Sequence, residues 1–163
     1  MATSETAFTR MFSARNTKIF TLMRFLGIDV GRRRIGLAIS DPTGTLARPL
    51  TTLTVSGNDG VERVASEIAR LSSEDDGLGT IVVGIPARLD GSPTTESANV
   101  QAFIAALKAR ITIPIVGEDE RLTSREAESR LALGERDWKK RKARLDAAAA
   151  AIILQDYLDR HAP

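Results

Sequence analysis

The order of apolar segments along the chain restricts its fold more than any other feature. Residues 25–30 and 35–40 are two apolar runs joined by four residues, and a Thr- and Val-rich run follows at 50–55, after an Arg48-Pro49 break. Apolar runs joined by a tight turn are typical of antiparallel strands. The sequence therefore predicts three antiparallel neighbours at the start of the folded part.

Helices and strands alternate after these three strands. Apolar residues recur at helical spacing over 61–71 and again over 95–110, and continuous apolar runs at 81–85 and 113–116 are typical of central strands. A helix over 124–133, a basic loop and a final helix over 146–160 complete the pattern. This order predicts an α/β domain with a mixed sheet, three antiparallel strands followed by alternating helices and parallel strands.

The composition argues against several chemistries. The chain has no cysteine and one histidine, His161, which disfavours disulfide frameworks, thiolate or multi-histidine zinc sites and Ser-His-Asp triads. The longest apolar run has eight residues, against about 20 needed to cross a bilayer, so we expect no membrane partner. Carboxylate chemistry with hard, oxygen-binding metals remains.

Residues 1–22 differ from the rest of the chain. They contain five Thr, two Ser, three basic residues and one acid, with no helical or strand period. We expect a disordered N-terminal extension here, followed by a single domain over residues 23–163. A Ser/Thr-rich, basic, acid-poor stretch is also typical of a transit peptide, which is the alternative.

Asp29 lies inside the first predicted strand. Side chains alternate along a strand, so Asp29 shares a face with Gly27 and Gly31. A carboxylate there is costly unless it is paired or bound to a metal, and the glycines leave room for a large group to approach. We interpret Asp29 as a metal- or phosphate-handling residue, with a carboxylate satisfied by backbone amides or an arginine as the alternative.

Two further groups of acids follow. Glu118, Asp119 and Glu120 come directly after the last predicted strand, where ligands collect in α/β sheets, and alternation leaves both Glu118 and Glu120 as candidates on one side. Asp146 heads the final helix beside five alanines, whose small size lets the helix approach the sheet and Asp29. Helix capping is the alternative role for these acids. Three converging carboxylates are what two-metal phosphoryl transfer needs.

Basic residues are concentrated in two places, although the net charge is only +2. The first is the predicted turn after Asp29, and the second is the stretch 136–144, which has six basic residues in nine. Such residues neutralise phosphates, and Trp138 could stack on an unpaired base. A solvated surface is the alternative. The predicted nucleic-acid-binding residues are Arg32, Arg33, Arg34, Trp138, Lys139, Lys140, Arg141, Lys142 and Arg144.

Four motifs occur in order along the chain. They are Gly27-Ile28-Asp29-Val30-Gly31 with Arg33-Arg34-Ile35-Gly36 and Ser40-Asp41, Val82-Val83-Gly84-Ile85-Pro86 with Asp90-Gly91, Asp119-Glu120-Arg121-Leu122-Thr123, and Asp146-Ala147-Ala148-Ala149-Ala150. Together they resemble the YqgF family, also called RuvX, of Holliday-junction-resolvase-like proteins with a ribonuclease H fold. The resemblance covers residues 23 to about 159.

The resemblance implies a cytoplasmic bacterial nuclease that matures the precursor of the small-subunit (16S) ribosomal RNA. It implies Mg or Mn as the cofactor, with Asp29, Glu120 and Asp146 as the catalytic and metal-binding acids, and it selects Glu120 over Glu118. Arg121 joins the predicted nucleic-acid contacts, and ribosomal particles join the expected partners. Ser124 departs from the family, which often continues with threonine there, and this leaves the three acids intact.

Other functions stay open on the sequence alone, because this fold also supports them. They are a resolvase of Holliday junctions or other branched DNA, a non-catalytic RNA-binding factor in ribosome assembly, and an ATPase. The ATPase is disfavoured because neither GxxxxGK[ST] nor GxGxxG occurs and one such domain has no second lobe to close a nucleotide cleft. The cleavage position, the preferred metal and the oligomeric state are not encoded in these patterns.

Overall fold

The computed structural model describes residues 22–120 and 137–161, which contain a five-stranded sheet in the order β3-β2-β1-β4-β5. The elements are β1 (Arg24–Val30), β2 (Arg34–Ser40), β3 (Ala47–Thr54), α1 (Gly60–Ser72), β4 (Leu78–Ile85), α2 (Thr95–Lys108), β5 (Ile115–Asp119) and α3 (Trp138–His161). Strands β3, β2 and β1 are antiparallel neighbours, and β1, β4 and β5 are parallel. The predicted mixed sheet is confirmed.

Apolar residues cover both faces of the sheet. Ile81 and Val83 of β4 belong to the larger cluster, which also contains the buried residues of α1 and α2. Val82, between them, belongs to the smaller cluster with Ala150 and Leu154 of α3. This alternation places α1 and α2 on one face and α3 on the other, which explains why β4 is continuously apolar. Within the described ranges, no helix combines the length and the apolar character that a bilayer crossing needs.

Helix α3 lies directly on the backbone of the sheet. A Cβ built on Gly27 would lie 2.7 Å from the Cβ of Leu154 and 2.8 Å from the carbonyl oxygen of Ala150. A Cβ on Gly36 would overlap the carbonyl oxygen of Asp146. Both contacts are too short for any side chain larger than hydrogen. These two glycines therefore set how closely the helix approaches β1 and β2.

Two strands have boundaries that differ from the prediction. Arg48 and Pro49, predicted as a break, lie inside β3, where proline is tolerated because β3 is an edge strand and its pairing with β2 shifts register at this point. Strand β5 begins at Ile115, later than predicted, and Glu118 and Asp119 lie within it instead of following it. The helix that these two acids were considered to cap lies outside the described residues, so that role stays a prediction.

The basic segment predicted as a loop is helical from Trp138 onward. Lysine and arginine are good helix formers, and Asp137 Oδ1 accepts a hydrogen bond from the backbone N–H of Lys140, at 3.4 Å. Because α3 already includes Asp146, this residue is not a helix cap. The predicted helix over 124–133 and the predicted N-terminal extension, apart from Leu22, lie outside the described residues.

Replacing Gly36 by alanine should destabilise the protein, because the new methyl group would overlap the backbone of α3 at Asp146. We expect a loss of about 1–3 kcal/mol or more in the free energy of unfolding, measured by urea denaturation. Gly60→Ala is the matched control, since its Cβ would meet the ends of two side chains, Ile35 at 3.3 Å and Val55 at 3.8 Å, and no backbone. Equal stability of the two variants would contradict the close packing.

Candidate active site

Asp29 lies half-buried near the carboxyl end of β1, with glycine on both neighbouring strands. It pairs with Gly36 of β2, and the parallel register that matches Ile28 with Val83 continues to place Asp29 beside Gly84 of β4. Gly27 faces α3, so Asp29, two residues further along the strand, faces the same side. The residues that flank Asp29 on β2 and β4 are therefore both glycines, which have no side chain.

Asp146 lies above one of these glycines. Its carbonyl oxygen contacts Gly36, so this part of α3 crosses the sheet next to Asp29. The Asp146 carboxylate is held by Arg34, whose Nε donates to Oδ2 at 2.6 Å. Arg34 precedes Gly36 by two residues on β2 and therefore shares its face. The two side chains are 27% and 28% exposed, so the pair is only partly shielded from water.

Glu120 lies above the other glycine. It follows β5 directly, and its Oε1 lies 2.7 Å from the position of a Cβ built on Gly84. Asp29 is thus flanked by Asp146 on the β2 side and by Glu120 on the β4 side. The structure places the three acids selected from the sequence on one face, at one end of the sheet.

Glu118 shares this face but is engaged elsewhere. It pairs in register with Gly84, is 5% exposed and forms an ion pair with Arg160 in the last turn of α3. Burial raises the pKa of the Glu118 carboxyl above its usual range, and the charge of Arg160 opposes that shift. Its carboxylate therefore helps to fasten the end of α3 to β5.

The donor set and the backbone placement fit a hard divalent cation, because carboxylate oxygens are the ligands that Mg and Mn prefer. The absence of side chains at Gly36 and Gly84 lets α3 and Glu120 approach Asp29 closely, which brings the three carboxylates to one side of the sheet. Among residues 22–120 and 137–161, no three Asp, Glu or His side chains lie close enough to hold a metal ion. The Asp146 carboxylate pairs with Arg34, so its side chain would have to leave this partner to bind a cation together with Asp29 and Glu120.

The basic residues surround this end of the sheet. Arg32 and Arg33 are exposed on the turn between β1 and β2, which is closed by a hydrogen bond from the N–H of Gly31 to the carbonyl oxygen of Arg34, at 2.9 Å. Lys140, Lys142 and Arg144 are exposed on the first turns of α3. Arg121 and the side chains of Trp138, Lys139 and Arg141 lie outside the described residues.

Sequence reasoning missed two features of the site. It expected Gly27 and Gly31 to leave room for a large group, whereas α3 covers Gly27. Gly36 and Gly84, on the neighbouring strands, instead let Asp146 and Glu120 approach Asp29. An isolated glycine inside an apolar strand is a signal of close approach and could have identified both. The ion pair between Arg34 and Asp146 was also missed, and no local pattern indicates a contact between residues so far apart in sequence.

Comparison with known proteins agrees with this geometry. The family model described as "RuvX: Holliday junction resolvase" matches residues 23–160. A protein of Chloroflexus aggregans is 46% identical over 135 residues, covering 82% of this chain and 92% of the relative. A protein of Anaeromyxobacter dehalogenans is 40% identical over 141 residues, covering 86% and 100%. Both relatives are named "Putative pre-16S rRNA nuclease".

Similarity to a solved structure extends to the whole fold. The resolvase of Fowlpox virus, crystallised with Holliday junction DNA, superposes with a TM-score of 0.54 at 9% identity, covering 86% of this chain and all of the viral chain. At this identity the likeness concerns the fold alone, which is ribonuclease H-like as the sequence predicted. On the match of the family model and of both relatives, the chain belongs to the RuvX family.

Proposed function

We propose that this nuclease hydrolyses phosphodiester bonds in the precursor of 16S ribosomal RNA, at a divalent metal site formed by Asp29, Glu120 and Asp146. The observation that carries the proposal is the placement of Asp29 between two glycines, with Asp146 above one and Glu120 above the other. The two glycines let acids from α3 and from the end of β5 approach the same strand position. Carboxylates from separate elements at one position are what a site for a divalent cation needs.

Each acid would have a defined part in the reaction. Asp29 is fixed by its strand, Glu120 by the end of β5 and Asp146 by α3, so the three carboxylates come from separate elements that the sheet holds together. A bound divalent cation supplies an activated water and stabilises charge on the leaving oxygen. The carboxylates would hold it, and the nearby exposed basic residues would position the phosphate backbone.

The names of the two relatives support precursor ribosomal RNA as the substrate. The description of the family model supports a second candidate, the resolution of branched DNA, which the same carboxylates could perform. A non-catalytic factor in ribosome assembly would retain the basic residues but would not need the three acids together. The substrate therefore has to be chosen by experiment.

The deciding experiment incubates the purified protein and Mn²⁺ with matched RNA and DNA in single-stranded, duplex and branched forms, and with ATP. The proposal expects cleavage of RNA that carries the 16S precursor sequence. Selective cleavage of branched DNA would favour the resolvase, and RNA binding without cleavage would favour the assembly factor. Hydrolysis of ATP alone would contradict all three.

Asp29→Asn should abolish cleavage and leave the affinity for nucleic acid within a few-fold of the unaltered protein. The reason is that an isolated carboxylate does not attract a polyanion, whereas it is needed to hold the cation. Cleavage assays and fluorescence anisotropy measure the two effects separately. Simultaneous loss of binding and cleavage in a folded variant would show that this separation of roles is wrong.

Glu120→Gln and Glu118→Gln should differ strongly. The Glu120 variant keeps the shape of the side chain above Gly84 but loses the charge, so turnover should disappear. The Glu118 variant loses an ion pair with Arg160, so its melting temperature should fall while turnover stays within about 10- to 100-fold, as for a residue behind the metal ligands. The reverse ranking in one cleavage assay would assign the metal-binding role to Glu118.

Replacing Lys140 and Lys142 together by alanine should weaken nucleic-acid binding and flatten its salt dependence. The slope of log affinity against log salt is negative, and each lost phosphate contact on a single strand reduces its magnitude by about 0.7. Lys108→Ala is the control, because Lys108 is exposed at the end of α2, which packs on the other face of the sheet. An unchanged slope in the double variant would identify these lysines as solvated surface.

A further inference from the structure

Arg34 differs in its surroundings from the other arginines of the basic turn. Arg32 and Arg33 are exposed, whereas the Nε of Arg34 donates to Oδ2 of Asp146 at 2.6 Å, across 112 residues of sequence. This contact joins the turn between β1 and β2 to α3 directly beside Asp29. Arg34 is therefore bonded to one of the three acids of the proposed metal site.

The Asp146 carboxylate has two competing partners under the proposed function. In the described residues the three acids are not gathered closely enough to hold an ion, and Asp146 faces Arg34. A guanidinium and a divalent cation repel each other at short range, so one partly exposed carboxylate does not hold both at low cost. Binding of the cation by Asp146 should therefore displace Arg34.

We propose that Arg34 is a positioning residue that exchanges partners: it holds Asp146 until a divalent cation takes this carboxylate, and it then binds a phosphate of the nucleic acid. The inference rests on the proposed metal site and goes beyond it. Guanidinium groups bind phosphate through two parallel hydrogen bonds, so the freed side chain has a suitable second partner. The turn is closed by the backbone, from Gly31 to Arg34, so the exchange needs only the side chain to move.

The exchange couples two binding events. A cation that releases Arg34 raises the affinity for nucleic acid, and by thermodynamic linkage nucleic acid then raises the affinity for the cation by the same factor. Arg34 would neutralise the Asp146 carboxylate when no cation is present. It would present a phosphate-binding guanidinium only when the site is loaded.

The first test measures Mn²⁺ binding by calorimetry on the full chain without nucleic acid. Arg34→Gln should bind Mn²⁺ roughly two- to fivefold more tightly than the unaltered protein, the range expected when a partly exposed ion pair no longer competes. Arg33→Gln removes the same charge from the same turn and should leave the affinity unchanged. An affinity of Arg34→Gln equal to or weaker than that of the unaltered protein would overturn the proposal.

A double-mutant cycle separates the contact from the general effect of charge. In the Asp146→Asn background, Arg34→Gln should no longer change the affinity for Mn²⁺, because the carboxylate that the arginine holds is gone. A gain of the same size in both backgrounds would show a through-space effect and would also overturn the proposal. Circular dichroism of each variant confirms that the comparison is between folded proteins.

The second test measures the affinity for single-stranded RNA with and without Ca²⁺, as a divalent probe in place of Mn²⁺. Ca²⁺ should strengthen binding by the unaltered protein and by Arg33→Gln, and the enhancement should be at least about threefold smaller in Arg34→Gln. An equal enhancement in all three would overturn the transfer of Arg34 to phosphate.

These outcomes are distinguishable from failure of the proposed function. If the unaltered chain binds no Mn²⁺, or if Asp29→Asn binds it as tightly as the unaltered chain, the metal site itself is wrong. If Mn²⁺ binds through Asp29 but Arg34→Gln has no effect on its affinity, only the exchange of partners is wrong.

Discussion

The close packing of α3 on glycine backbone is the contact on which the rest of the site depends. Gly27 lies under Ala150 and Leu154, and Gly36 lies under Asp146, so the helix meets the sheet without intervening side chains at two points along its length. Helix packing normally requires side chains to interdigitate, which sets the distance between elements. Here the distance between the helix and the sheet is shorter, so Asp146 of α3 lies next to Asp29 of β1.

Arginine–carboxylate pairs fasten α3 near both of its ends. In the first half of the helix, Asp146 of α3 pairs with Arg34 of the sheet. In its last turn the roles are reversed, because Arg160 of α3 pairs with Glu118 of the sheet. Glu118 is more deeply buried than Asp146, and desolvation raises the pKa of Glu118 and of the neighbouring Asp156. The buried carboxylate of Glu118 suits a permanent attachment, whereas the partly exposed carboxylate of Asp146 suits one that can open.

The sequence was sufficient for the sheet but not for all element boundaries. The three antiparallel neighbours and the mixed sheet followed from apolar runs and turn lengths, because burial on one or both faces leaves a direct pattern. The start of α3 was missed because its first turns have no apolar period, and helix propensity alone does not distinguish a basic helix from a basic loop. Strand β5 was placed too early because Gly117 and the acids after it resemble a loop.

Asp29 could be identified from the sequence although it is not part of an apolar pattern. A carboxylate in an apolar strand, such as Asp29, is energetically anomalous wherever the chain folds, so it is visible without knowing its neighbours. The partner of Asp146 was not, because an ion pair between Arg34 and a residue 112 positions away exists only after the helix has docked. A residue that is unusual in its own segment was therefore easier to identify than a contact between distant segments.

The continuity of α3 fixes the spacing between a basic residue and an acid of the proposed site. Lys142 and Asp146 are four residues apart in one unbroken helix, which at about 1.5 Å per residue separates them by roughly 6 Å along the axis. Neighbouring nucleotides of a stacked strand are spaced by about 3.4 Å, so this interval corresponds to roughly two nucleotides. Under the proposed function, a phosphate bound at Lys142 would stay at a fixed distance from Asp146, whatever bases the strand carries.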